Sequence, residues 1–155
     1  MEVSVSLGFA ELTSVTGYSN YKEDGQRDQT DLLLDFEYGY EDFPSFTAFT
    51  RDPLEEKLTT QEIRLVSTSE SKLSWIAGVY FSKFESDEMS SEFTPGIPEF
   101  FDVVRPDNLE FISRDIKTLK EQALFGEIGY QFTDQWQVTL GARYFEYNDV
   151  SGGAQ

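Results

Sequence analysis

Neither cysteine nor histidine occurs anywhere in the 155 residues. Without cysteine there is no disulfide framework and no thiolate to ligate a metal or attack a substrate. Without histidine the usual general base at neutral pH and the commonest zinc ligand are gone, and the histidine-dependent triads and HExxH metalloproteases go with them. Positive charge is scarce as well: 12 Lys+Arg face 29 Asp+Glu, for a formal charge of -17. A polyanion would be repelled at every approach, which argues against nucleic acid as a partner. No run approaches about 18 consecutive apolar residues, which excludes a transmembrane helix but not a membrane strand, whose signal is a much weaker alternation. Met1–Val5 carries neither a basic nor an apolar signal region, so no secretory signal is expected here. The last residues, Ser151–Gln155, stop just after a strong strand pattern, and the chain reads as an excised fragment.

What the chain does have is rings. Aromatics make up 15% of it, with 14 Phe and 8 Tyr, although apolar residues reach only 39%. Disordered acidic chains lack aromatics, so these rings have definite places to go. The dominant period is two, and helical spacing is nearly absent. From Trp136 to Tyr144, one face carries Trp136, Val138, Leu140, Ala142 and Tyr144, and the other Gln137, Thr139, Gly141 and Arg143. Just before, Leu124, Gly126, Ile128, Tyr130 and Phe132 alternate with Phe125, Glu127, Gly129 and Gln131, and a short polar link at 133–135 suits an antiparallel hairpin. The unit recurs around a turn at 69–72. There Ile63 and Leu65 alternate with Glu62 and Arg64, Val66 being a mild exception, and Leu73, Trp75, Ala77, Val79 and Phe81 share a face. A third hairpin turns near 8–9 between Val3, Val5, Leu7 and the stretch from Glu11 to Tyr21; its facing stays open, because Leu12 and Val15 fall on opposite sides.

Two long connections, about 22–58 and 85–118, separate these hairpins and hold 20 of the 29 acids and all five prolines. Within the first, Leu32, Leu34, Phe36, Tyr38 and Tyr40 alternate again, as an extension of the sheet or as a further strand. Loops this long are uncommon in compact soluble domains. Tight turns on one side and long loops on the other are the rule in outer-membrane barrels. The fold class is therefore all-β: an antiparallel up-and-down meander of about six strands, part of a transmembrane β-barrel with two long acidic extracellular loops. Geometry agrees. Trp136 to Tyr144 covers about 27 Å along a strand, or roughly 20 Å of membrane at a tilt of about 40°, close to the outer apolar band of such barrels. Rings at both ends with aliphatics between are what an interfacial girdle requires. That assigns Trp75, Phe81, Tyr130, Trp136 and Tyr144 to the membrane interface. The opposite face, with Glu62, Arg64, Glu127, Gln131, Thr139 and Arg143, is too charged for a sandwich interior and suits a wet lumen.

These residues resemble TonB-dependent outer-membrane receptors. Gln61-Glu62-Ile63-Arg64-Leu65 followed by Leu73-Ser74-Trp75-Ile76-Ala77-Gly78-Val79-Tyr80 is similar to a mid-barrel pattern of that family, with Phe81 where a second Tyr is usual. Leu124-Phe125-Gly126-Glu127, Tyr130-Gln131-Phe132-Thr133-Asp134 and Leu140-Gly141-Ala142-Arg143-Tyr144 resemble a second family hairpin, and Leu12–Tyr18 with Asp28 and Asp31 also fits. The resemblance implies a wide 22-stranded barrel occluded by an N-terminal plug and importing scarce nutrients such as ferric siderophores. It also implies the outer membrane of a Gram-negative cell as location, and energy drawn from TonB through an N-terminal segment. No plug, TonB-contacting segment or closing strand is recognisable in these residues, so coupling and closure are expected from the remainder of the barrel and its plug domain. The partners implied are outer-membrane lipid, that remainder, and TonB at one remove.

Each feature also has a plainer reading. Glu62, Arg64, Glu127, Gln131 and Arg143 are lumen-lining candidates, yet any wet wall needs polar residues whatever passes. Loop acids suit Ca²⁺ chemically, but no segment keeps an EF-hand spacing, and solvated surface explains them. Loop rings at Phe43, Phe46, Phe49, Phe100 and Phe101 suit ligand capture or mutual packing equally. No carboxylate pair is singled out for glycosidase chemistry, so no catalytic residue, metal ligand or cofactor is expected. Two competing architectures remain. A secreted β-sandwich binding or adhesion domain would seal the Trp136/Tyr144 face in a core. A complete eight-stranded barrel would use 30–40 and 43–51 as extra strands and join its first strand to its last.

Overall fold

A computed structural model of the chain describes residues 1–33, 47–68, 71–104 and 107–155, the Ile97 side chain excepted. Six strands, β1 (Glu2–Ser6), β2 (Ala10–Asp28), β3 (Phe49–Ser67), β4 (Leu73–Phe93), β5 (Leu109–Thr133) and β6 (Trp136–Ala154), follow in chain order. They form one sheet in the order β1-β2-β3-β4-β5-β6, so each strand pairs with its sequence neighbours and β1 and β6 are the edges. This is the meander expected from the alternation. The first and last strands are not joined, which removes the closed eight-stranded alternative.

The turns hold to the hairpin chemistry. Gly8 sits at φ +86° between β1 and β2, a left-handed conformation that glycine adopts without steric cost. The register pairs Val3 with Ser14, Val5 with Leu12 and Glu2 with Val15. That settles the facing left open by the sequence: Leu12 lies with the valines, and Val15 lies with Glu2, Ser4 and Thr13. Ser4 and Thr13 share a hydroxyl hydrogen bond of 3.1 Å on that second side. The Thr68 hydroxyl donates to the Gly8 carbonyl at 2.9 Å and the Gln131 amide donates to the Lys72 carbonyl at 2.8 Å. All three short turns thus belong to one compact unit, made of Met1–Asn20, Lys57–Glu85 and Thr118–Val150.

The second unit, Tyr21–Glu56, Ser86–Lys117 and Ser151–Gln155, corrects the expected loop bounds. The ladder persists through Lys22 to Asp28, resumes at Phe49, runs on to Phe93 and resumes at Leu109. The connections are therefore 29–48 and 94–108, not 22–58 and 85–118. Twelve of the acids assigned to loops stand on strands instead. Polar side chains on both sides of a strand erase its hydropathic period without weakening its backbone hydrogen bonds. Pro53 lies inside β3, flanked by β2 and β4, where it donates nothing to the ladder. Thr30–Leu33, the start of one suggested extra strand, is a single helical turn, α1. The rest of the 30–40 alternation, with Phe43 and Phe46, lies outside the described residues. Phe49 to Arg51 opens β3 rather than ending a separate strand.

Inside this unit cross-strand contacts are mainly ionic. Arg114 donates to both Asp87 oxygens at 2.8 and 2.5 Å, which raises the Arg114 pKa above its ordinary value. Lys22 lies 3.2 Å from Glu55, and Asp52 accepts from Ser90 at 2.7 Å and from Thr50 at 3.0 Å. The Phe49 and Phe93 rings stack at 5.1 Å under the Arg51 guanidinium, and Phe100 meets Phe101 edge-on at 5.4 Å. These exposed or half-buried ring contacts favour mutual packing for the described loop-proximal rings.

The strands of 19 to 25 residues from β2 to β6 are several times the usual length. A membrane needs about ten residues of a tilted strand, so strands this long have material to spare beyond one apolar band.

Candidate functional site

Within the turn-bearing unit the two faces of the sheet differ in chemistry and in exposure. One face carries Leu73, Trp75, Ala77, Val79 and Phe81 on β4, the even-numbered apolar residues from Leu124 to Phe132 on β5, and Trp136 to Tyr144 on β6. Nothing covers it. Trp136 and Leu140 are each 70% exposed, Ile128 51% and Val138 49%. A sandwich reading needs these residues beneath a second layer of protein, and among the described residues no such layer exists. Leaving this much contiguous apolar surface in water would be far outside the range for a soluble monomer.

The apolar band ends at the same level on successive strands. Ile63 gives way to Gln61, Phe81 to Lys83, Leu124 to Gln122 and Tyr144 to Glu146, each two residues on along the same face. Gln61, Lys83, Gln122 and Glu146 then line one shared groove, so the four transitions are neighbours in space. Independent strands have no reason to change polarity in step unless the surroundings do. A slab of hydrocarbon with a water boundary imposes that constraint.

The five rings expected at an interface lie toward the two ends of this band. Trp136 and Tyr130 stand toward the short turns, with Tyr130 edge-on to Phe132 at 4.9 Å, and Trp75 lies near the start of β4. Phe81 and Tyr144 stand at the opposite end of the band and line one depression there. The Tyr144 hydroxyl turns toward the polar collar and donates to Glu146 at 3.2 Å. An aromatic body in an apolar layer with its polar tip reaching out is the arrangement an interface favours.

The opposite face is crowded and polar. Glu62 and Arg64, two residues apart on β3, pair at 3.4 Å. Arg143 on β6 donates to Glu121 on β5 at 2.7 Å and lies 5.3 Å over the Tyr80 ring of β4. Phe125 covers Gly78 on the same face, where a Cβ would collide with the ring. Gln131 turns back to donate to the Thr133 carbonyl at 2.9 Å, and Glu127 lies beside Gly141. Of the five lumen candidates Glu62 and Arg64 pair with each other, Arg143 pairs with Glu121 and Gln131 bonds a backbone carbonyl, so the five do not form one convergent cluster. The partner of Arg143 escaped sequence reasoning because Glu121 lies 22 residues away, and only the β5–β6 register brings them level.

Among the described residues no group of three acidic side chains could hold a metal ion. None of the described helices is long and apolar enough to cross a membrane, which bears on helices alone.

No family model and no curated protein sequence matches the chain. Among solved structures, it is similar to the crystal structure of the ferric yersiniabactin uptake receptor FyuA from Yersinia pestis, with a TM-score of 0.60 over 98% of this chain at 11% identity. The chain spans 23% of that receptor's length. At such identity the likeness is one of fold: the six meander strands here match a part of that receptor.

Proposed function

We propose that this chain is a segment of the β-barrel wall of a TonB-dependent outer-membrane receptor that imports a scarce nutrient, with a ferric siderophore as cargo. The observation that carries this reading is the exposed apolar band whose polar limits coincide on β3, β4, β5 and β6. Fold similarity to a ferric-siderophore uptake receptor supports the cargo class. In this reading the apolar face meets lipid, and Trp75, Phe81, Tyr130, Trp136 and Tyr144 sit at its two interfaces. Glu62, Arg64, Glu127, Gln131 and Arg143 line the water-filled side. The short turns face the periplasm. The remaining strands, a plug and coupling to TonB come from chain beyond these residues, and no catalytic step is involved.

The test uses the full-length receptor in its own cell. Fractionation places it in the outer membrane, its electrophoretic mobility changes on boiling as a folded barrel's does, and its deletion abolishes energy-dependent uptake of radioactive iron from siderophore. Recovery of the full-length protein in a soluble fraction would sink the barrel reading. Membrane residence with unchanged uptake of ferric siderophores would leave the barrel and overturn the cargo.

A further inference from the structure

We draw no further inference here: the strongest candidate, the near-parallel pair of exposed rings Phe145 and Tyr147 beyond Arg143 on the polar side of β6, stands on an edge strand of the sheet, and nothing in the structure shows what covers it.

Discussion

The tip of the Phe125 ring of β5 meets Gly78 of β4 so closely that a Cβ at Gly78 would clash with it. The aromatic covers a strand position with no side chain of its own, and backbone and ring approach more closely than any other residue would allow. Gly78→Ala must push the ring away, and overpacking of this kind costs typically about 1–3 kcal/mol. Gly152, where an added methyl group would meet nothing within 4 Å, is the control, and Gly152→Ala should be neutral or slightly stabilising. Urea titration of the full-length receptor in lipid vesicles should separate the two variants clearly.

Leu140 and Thr139 are adjacent on β6 and point to opposite faces. If hydrocarbon covers the Leu140 side, Leu140→Arg places a charge near the middle of the band and should cost about 2–4 kcal/mol, whereas Thr139→Arg faces water and should cost little. The same vesicle titration reads both. Equal effects of the two substitutions would mean that neither face meets lipid.

The register of hydrophobic residues made the six strands, their order and the three short turns legible, because one side of each strand is apolar along the band and a step of one residue would invert every side chain. It failed where that contrast stops. Beyond Phe81, β4 continues as Ser82, Lys83, Phe84, Glu85, Ser86 and Asp87, with polar groups on both sides, and the ladder goes on although the pattern has ended. Pro53 misled for a different reason: proline excludes a hydrogen-bond donor, not an extended backbone. At the candidate site, the Glu62–Arg64 pair was legible as two residues on one side of one strand. The Arg143–Glu121–Tyr80 set needed three strands to be placed side by side, and no spacing along the chain encodes that.

Asp28 closes β2 and receives both the backbone amide and the hydroxyl of Thr30, at 2.9 and 2.6 Å. These hydrogen bonds favour the carboxylate and hold the Asp28 pKa below its ordinary value, the hydroxyl contact contributing most. A depressed carboxyl pKa stabilises the folded turn at every pH above the ordinary carboxylate value, and that contribution is lost as acid protonates the folded group. Amide protection at Thr30 should therefore hold from neutrality down to the ordinary carboxylate range and decline below it. In Asp28→Asn, which cannot ionise, that acid-dependent step should be missing. A step retained in the Asn variant would assign it to another carboxylate.

The absence of cysteine from all 155 residues makes accessibility along β6 readable without background from this segment. Single cysteines at Gln137, Val138, Thr139, Leu140, Gly141, Ala142 and Arg143 alternate between the two faces by the pleat of the strand. Odd positions should react quickly with a charged, membrane-impermeant thiol reagent in the vesicle-embedded receptor. Even positions, in hydrocarbon, should react slowly, because a thiol in an apolar environment resists forming the reactive thiolate. In detergent-free aggregates or a soluble sandwich that contrast would flatten or invert. A strict period of two in the rates, fast at Thr139 and slow at Leu140, assigns both faces at once, and it does so without reference to which cargo the barrel carries.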